Sequence, residues 1–455
     1  MARSRVRVGN GQGFWGDSPL GPVQLATRAD IDYLTMDYLA EVTMSILRKA
    51  RNRRPEAGYA TDFTEVLERV LPTCIERGIR IVANAGGINL DACADACEAT
   101  VQELGLSGVR IGLVSGDDIS HRLDELMASG ETLSNLDTGE SLQARRADVL
   151  SANAYLGATG IARALAEGAD VVVTGRVADA SLTVGPLVHE FGWEPAELDA
   201  LAGATIAGHV IECGTQCTGG NFDRWDEVPS FEDIGYPIAE VEADGSFVVT
   251  KPGGTGGMVT VDTVTAQLLY EIGDPRRYLT PDVVADFTSV TLRQDGPDRV
   301  AVSGARGGPP TGTFKVSVSL SDGWKAVGQL VVGGRDAARR AEATAALLWS
   351  RLAADGCHVD PSHRLVEVLG TGVLFPGMVE PPPGPEVVLR VGVRDPDRRK
   401  VDRFGRELAS LLLAGPPGLT GFAAGRPKAS EVVSHWPCLI DRSRVAESVA
   451  IREVA

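Results

Sequence analysis

The chain has 455 residues, of which 44% are hydrophobic and 23% are charged, as is usual for globular proteins. This length exceeds what one hydrophobic core normally serves, so we expect at least two domains. The formal net charge of −17 argues against nucleic acids and anionic membranes as partners. No apolar run reaches the roughly 18 residues that a membrane span needs, and we find no secretory signal.

The cysteine and glycine contents narrow the class of protein further. The seven cysteines are odd in number and form no repeated CxxC pairs, which argues against a disulfide framework or a structural zinc module. We therefore expect reduced thiols and a cytoplasmic location. Many of the 53 glycines directly follow apolar runs, a pattern typical of tight strand-to-helix turns.

The first half of the chain alternates short apolar strands with amphipathic helices. Strands are predicted at residues 5–8, 32–36, 79–83, 109–114 and 171–173. Helices are predicted at residues 40–51, 63–77, 90–104 and 147–167. This alternation predicts an α/β fold with a mostly parallel, doubly wound sheet, and a closed barrel is the competing topology.

The pattern changes after residue 285. Alternating apolar and polar residues predict antiparallel strands at 287–292, 299–302, 313–319, 324–332, 365–369 and 387–393. Helices are predicted at 337–353 and 401–413. We therefore predict an α/β domain over residues 1–285, which carries the site, and a smaller α+β domain over residues 286–455.

Polar residues follow the ends of the predicted parallel strands. In sheets of this kind, ligands bind outside the carboxyl ends of the strands. The polar residues expected on this rim are Asn10, Asp17, Asn84, Asn89, Asp117, Asp118, Arg176 and Asp179. Each one alone could be a turn or helix-cap residue. Their recurrence at successive strand ends predicts a site there.

Two groups on this rim are suited to binding a substrate. Arg176 could grip a carboxylate or a phosphate through two hydrogen bonds, or it could pair with Asp179. Ser181 could bind substrate or cap the following helix. The predicted substrate-binding residues of the rim are Arg176, Asn84, Gly86, Gly87 and Ser181.

A second cluster lies in a predicted helix at residues 202–217. Helical spacing would place one polar face at His209, Glu212, Cys213, Gln216 and Cys217. Such a face could be a buried, satisfied structural surface, or it could hold a metal ion or an acid–base pair. We select Glu212 and His209 as catalytic candidates, and we add Asp179 and Asp117 from the rim.

A glycine-rich loop, KPGGTGG, precedes a predicted helix at residues 261–272. Backbone N–H groups of Gly254, Thr255 and Gly256 could bind an anion, or the loop could be a plain turn. It is not a Walker A loop, because Lys251 precedes the glycines instead of following them.

Long motifs carry a family resemblance. The segments TGRVADASLTVGPLVHEFGW, GHVIECGTQCTGGNF, KPGGTGGMVTVDTVTAQLL and ANAGGIN resemble the acyclic terpene utilisation (AtuA) family, from about residue 8 to residue 286. The resemblance implies a role in the catabolism of acyclic terpenes such as citronellol and geraniol through acyl-CoA intermediates. It transfers no catalytic residues.

Together, these patterns predict a cofactor-independent lyase or hydratase/dehydratase that acts on a branched hydroxyacyl or unsaturated acyl substrate. The alternative is a non-catalytic subunit that binds an acyl ligand or assembles a metabolic complex. No organic cofactor is predicted, and the acidic residues leave room for a divalent metal ion. We expect a homo-oligomer whose partner is a small acyl molecule, with neither nucleic acid nor membrane.

Overall fold

The structure is a computed structural model that describes residues 3–378, 384–421 and 425–455. The chain forms two compact units. The first unit contains the chain up to Ser319 together with His435–Ala455, and the second contains Leu320–Ser434. Residues 286–319, which the sequence placed in a second domain, therefore belong to the first unit.

Nineteen strands occur in the described part of the chain. In chain order they are β1 (Arg5–Asn10), β2 (Tyr33–Met36), β3 (Arg80–Ala83), β4 (Val109–Ser115), β5 (Val149–Ala154), β6 (Val171–Thr174), β7 (Ile238–Glu242), β8 (Phe247–Thr250), β9 (Tyr278–Leu279), β10 (Val284–Asp286), β11 (Thr291–Gln294), β12 (Val300–Ser303), β13 (Arg306–Gly308), β14 (Thr313–Gly333), β15 (Arg364–Leu369), β16 (Glu386–Asp395), β17 (Leu419–Thr420), β18 (Ser430–Asp441) and β19 (Ser448–Val454).

Eleven α-helices occur in the same described residues. They are α1 (Leu20–Arg28), α2 (Glu41–Arg53), α3 (Asp62–Arg77), α4 (Leu90–Glu103), α5 (Leu123–Ala128), α6 (Thr159–Ala166), α7 (Ser181–Phe191), α8 (Leu198–Glu212), α9 (Val261–Leu268), α10 (Ala337–Ala354) and α11 (Arg398–Ala414). None of the described helices is long and apolar enough to cross a membrane.

The first unit is built on a large open sheet in the order β11-β12-β8-β7-β1-β2-β3-β6-β4-β19. The five central strands, from β1 to β4 in this order, are parallel. The flanking strands are antiparallel. The α/β class is therefore confirmed, whereas the sheet as a whole is mixed rather than mostly parallel.

Both faces of the parallel strands are buried. Neighbouring strand residues alternate between two cores, so that Val172 joins one core while Val171 and Val173 join the other. The first core contains residues of α6, α7 and α8, and the second contains residues of α1, α3 and α4. Burial on both faces explains why these strands are continuous apolar runs.

The predicted helix at residues 147–167 is wrong over its first half. Residues Val149–Ala154 form β5, and only Thr159–Ala166 are helical. Asn153 pairs with Asp118 through a backbone bridge, and its side-chain amide donates to Asp117. These are tertiary contacts with a separate segment of the chain, and they outweigh the local helical pattern.

The second unit has a smaller antiparallel sheet in the order β15-β16-β14-β17. Helices α10 and α11 pack against one face of this sheet and form a separate core. The two strands predicted at 313–319 and 324–332 are parts of the 21-residue strand β14.

Candidate functional site

A cavity of about 420 Å³ opens in the first unit where the loops after β1, β2 and β6 meet the end of α8. Its volume is in the range of roughly 300–1,000 Å³ that is usual for small-molecule sites. The cavity is lined by Gly13, Phe14, Asp17, Asp37, Leu39, Ala40, Asp179, Glu212, Cys213, Thr215, Gln216, Gly220, Asn221, Tyr270 and Glu271. These described lining residues include five acids and neither lysine nor arginine.

Glu212 is the last residue of α8. Its position is set by Asn10, the last residue of β1, and by the loop that follows. The Asn10 side-chain amide donates to the carbonyls of Ile211 and Glu212, each at 2.9 Å. Carbonyls at a helix C-terminus lack partners within the helix, so Asn10 supplies what the helix cannot. A Cβ on Gly13 would lie 2.8 Å from the backbone carbon of Cys213. The loop and the helix end therefore touch through their backbones.

His209 lies one turn before Glu212, buried behind the cavity. Its Nδ1 is 2.9 Å from Oε1 of Glu212, and its Nε2 is 3.1 Å from the carbonyl oxygen of Gln267. Because a carbonyl can only accept, we assign the Nε2 hydrogen to this bond. Two lone pairs do not approach to 2.9 Å without cost, so either Nδ1 or Oε1 carries a proton. The second oxygen of Glu212, Oε2, has no hydrogen-bond partner among the described residues.

Burial and charge act in opposite directions on this pair. Burial lowers the pKa of His209, but Glu212, the Gln267 carbonyl and Glu271 together more than offset this, and the net shift is upward. Burial raises the pKa of Glu212, and His209 lowers it only in part. The pair therefore holds a proton to higher pH than an exposed glutamate would.

Asp37 follows β2 directly and is only 6% exposed. Its Oδ1 accepts hydrogen bonds from the Asn84 side-chain amide at 2.6 Å and from the backbone N–H of Leu39 at 3.0 Å. Burial and then the charge of Asp179 raise its pKa well above the ordinary value, and Arg176 and Asn84 lower it less. Asp37 therefore holds its proton to higher pH than an exposed aspartate does.

Arg176 lies beneath the cavity and does not line it. Its side chain is 2% exposed, and Nη1 lies 2.7 Å from Oδ1 of Asp179. Nη1 also donates to the carbonyl of Leu39 at 2.5 Å. The guanidinium stacks 4.2 Å above the ring of Tyr155. Arg176 therefore supplies a buried positive charge that faces the acids from below.

Asp17 and Asp117 have mainly structural contacts. Asp17 accepts hydrogen bonds from the backbone N–H groups of Gly13 and Ser18 and closes their loop. Asp117 lies outside the cavity lining, and its Oδ2 accepts from the Asn153 side chain and from the backbone N–H of Arg176. Burial raises the pKa of Asp117 to about 6.

The structure places the other predicted binding residues of the rim away from the cavity lining. The Ser181 hydroxyl donates to Asp282 at 3.1 Å. The backbone N–H of Gly86 donates to the Thr174 carbonyl, and Gly87 adopts a left-handed turn with φ of 54°. Asn84 does not line the cavity either, but it holds Asp37 in place.

The glycine-rich loop also lies outside the cavity lining. The N–H of Gly256 donates to the Asp233 carbonyl at 2.7 Å, and the Thr255 hydroxyl donates to the Pro252 carbonyl at 2.6 Å. Gly254 occupies a left-handed turn with φ of 73°. Lys251 donates to the Thr255 carbonyl and pairs with Asp298. Of the three backbone N–H groups predicted to bind an anion, that of Gly256 is therefore engaged within the protein.

The sequence pattern did not single out Asp37, Tyr270 or Glu271. The signal for Asp37 was present, because it directly follows an apolar strand of the parallel sheet. Tyr270 and Glu271 lie beyond the end of α9, and Glu271 has φ of 54°, an unusual conformation for a residue with a side chain. No group of three or more His, Cys, Asp or Glu side chains in the described ranges is arranged to hold a metal ion.

Comparison with known protein families identifies the family to which the chain belongs. The profile of the family described as "Acyclic terpene utilisation family protein AtuA" matches residues 6–451. The chain belongs to the AtuA family. Comparisons with curated proteins and with solved structures find no match. In this AtuA-family protein, the matched region includes every residue of the acidic cavity.

Proposed function

We propose that this AtuA-family protein is an enzyme that transfers protons to and from a small acyl or hydroxyacyl molecule, as a lyase or hydratase/dehydratase does. The observation that carries the proposal is the presence on one cavity of two carboxyl groups in different surroundings, the buried Asp37 and the partly buried Glu212. Asp37 is held by amide donors, and Glu212 is backed by His209. Enzymes that use one acid and one base commonly separate their pKa values in this way.

The roles follow from these surroundings. Glu212 accepts a proton from carbon through Oε2, which has no hydrogen-bond partner among the described residues. Asp37 donates its proton to the hydroxyl on the neighbouring carbon, which leaves as water while a carbon–carbon double bond forms. Hydration is the same scheme in reverse. No step of this scheme needs an electron acceptor or donor.

The charge of the cavity favours one order of events. Three further acids, Asp17, Asp179 and Glu271, line the cavity beside the two reacting groups, so negative charge developing on an enolate is unfavourable there. Protonation of the leaving hydroxyl by Asp37 therefore precedes or accompanies proton removal. Asn84 was predicted to bind substrate, but its amide is engaged with Asp37, so we assign it a positioning role.

A gene-replacement experiment in the native host tests this proposal and does not require the substrate to be identified first. The chromosomal gene is replaced by a Glu212→Gln variant, by a deletion and by a matched Glu103→Gln control on the exposed side of α4. We expect Glu212→Gln to accumulate the same metabolite as the deletion, while Glu103→Gln matches the wild type.

The result can also favour the alternative. If the folded Glu212→Gln protein restores the wild-type metabolite profile, acid–base catalysis by this residue is wrong. A non-catalytic subunit that binds an acyl ligand would then be the better account.

A further inference from the structure

We propose that the end of the ligand that enters the cavity is not an anion but a hydroxyl or a carbonyl, and that the cavity rejects the same molecule as a free carboxylate. The inference concerns the same cavity as the proposed function and rests on it for the choice of site. It departs from the sequence-based hypothesis, in which Arg176 anchors a substrate carboxylate.

The first reason is the distribution of charge. The described lining of the cavity contains five Asp and Glu residues and neither lysine nor arginine. The buried Arg176 contacts Leu39, Tyr155 and Asp179, and its side chain is 2% exposed. An entering carboxylate would meet negative charge in a partly buried site, where charges interact far more strongly than in bulk water.

The second reason is the hydrogen-bonding capacity of the two central acids. Asp37 is 6% exposed, and hydrogen bonds from described residues reach its Oδ1 but not its Oδ2. The buried Oε2 of Glu212 also has no hydrogen-bond partner among these residues. A hydroxyl satisfies both groups, because it accepts from protonated Asp37 and donates to Glu212. A carboxylate can only accept and would leave Glu212 facing another anion.

The third reason concerns the rest of the ligand. Phe14 lines the cavity with its ring 58% exposed, and Tyr270 lines it at 39% exposure. Exposed aromatic rings beside a polar cavity suit the aliphatic part of a molecule whose polar end is inside. The ligand class is therefore an aliphatic chain with an uncharged oxygen group at its buried end.

Three probes with one carbon skeleton test the inference on the purified, full-length protein. They are the alcohol citronellol, the amine citronellylamine and the carboxylate citronellate, measured by isothermal titration calorimetry at pH 7.5. We expect the alcohol to bind at least roughly tenfold more tightly than the carboxylate, as one unfavourable charge contact in a partly buried site predicts. The amine, as a cation, should bind no more weakly than the alcohol.

A variant that removes one charge tests whether the acidic lining causes the preference for the alcohol over the carboxylate. Asp179→Asn removes one negative charge from the lining, so the difference between alcohol and carboxylate should shrink by roughly tenfold. The matched control, Glu103→Gln, removes an exposed charge on α4 and should keep the wild-type preference. Circular dichroism confirms that each variant is folded before binding is compared.

Several outcomes would overturn the inference. Citronellate binding as tightly as citronellol would do so, and so would a preference that Asp179→Asn leaves unchanged. Binding of none of the three probes would show that the cavity does not take an aliphatic ligand. These results are independent of turnover, so a failed inference is distinguishable from a failed catalytic role for Glu212.

Discussion

Glu212 and Asp37 are both carboxyl groups, but their partners differ. Glu212 has an imidazole behind it and one oxygen with no hydrogen-bond partner in the described structure. Asp37 has two donors on one oxygen and lies near the charge of Asp179. The positive charge of Arg176, which lies beneath the cavity, lowers the pKa of Asp37 in part. At this scale, the chemistry of the site depends on which neighbour each acid has.

Asn84 should be important for stability as well as for the acid it holds. Its amide donates to Asp37, and its Oδ1 accepts from the backbone N–H of Tyr38 at 2.7 Å. Asn84→Ala leaves this buried N–H unsatisfied, so we expect a loss of about 1–3 kcal/mol in the free energy of unfolding. Urea denaturation measures it, with Asn52→Ala on the exposed side of α2 as control. Equal stability of the two variants would contradict the assignment.

Arg176 offers a second prediction. If it is a buried counter-charge, Arg176→Met removes the ion pair with Asp179, whose side chain is 36% exposed, and leaves the Leu39 carbonyl without this donor, so it should cost about 1–3 kcal/mol. If it were a substrate anchor, the variant would lose ligand binding with little change in stability. Denaturation and citronellol titration on the same sample separate the two roles. Unchanged stability would contradict the counter-charge.

At the level of elements, the site depends on backbone contact between the β1–α1 loop and the end of α8. Gly13 is where they meet, 2.8 Å from Cys213 when a Cβ is added. Gly253, in the glycine-rich loop, has open space around it and no left-handed φ. The two positions thus form a matched pair for the same substitution.

Gly13→Ala should push the loop away from α8 and move Glu212. We expect a loss of about 1–3 kcal/mol, in the range for overpacked positions, together with weaker citronellol binding. Gly253→Ala should leave both quantities unchanged. Differential scanning calorimetry and calorimetric titration provide the measurements. If Gly13→Ala behaves like Gly253→Ala, the loop and α8 are not held together as described.

Local pattern predicts some of these elements and not others. The parallel strands β1, β2, β3, β4 and β6 are apolar runs followed by turn residues, and each overlaps its predicted range. The strand β19 was not predicted, because it pairs with β4 from more than 300 residues away in the chain. Such a pairing has no local signal. The α8 helix ends at Glu212, so Gln216 and Cys217 lie in a following 3-10 turn and not on the predicted helical face.

The residues of the candidate site were likewise predicted only in part. Glu212 and Asp179 were selected from sequence and line the cavity. Asp117 was selected because it follows a strand, but its contacts with Asn153 and Arg176 turn it inward. A strand end shows that a residue is near the rim, whereas its side-chain partner depends on segments far away in sequence.

At the level of the whole molecule, several buried carboxyl groups are held in the first unit, where burial raises their pKa values. These groups are Asp37, Asp117, Glu212, Asp282 and Glu447. A carboxyl group with a raised pKa binds more protons in the folded state than in the unfolded state. Stability therefore falls as pH rises from the unfolded pKa through the folded pKa, and it stays lower above that.

We therefore expect the protein to be more stable at pH 5 than at pH 8. For Asp117, the shift from 3.8 to about 6 corresponds to about 3 kcal/mol, which is lost between about pH 4 and pH 6. The net charge of −17 acts in the same direction through self-repulsion. Thermal unfolding followed at pH 5, 6, 7 and 8 provides the measurement. A Tm that rises steadily to pH 8 would contradict the prediction.

The division of the cavity acids into donor and acceptor is the central claim, and their protonation can be measured without a substrate. Carbon-detected NMR of the side-chain carboxyl groups, titrated from pH 3 to pH 9 and assigned with Asp37→Asn and Glu212→Gln, gives both pKa values. The account predicts that both lie above the ordinary values for exposed carboxyl groups. Titration of both groups near pH 4, as for exposed carboxyl groups, would contradict it.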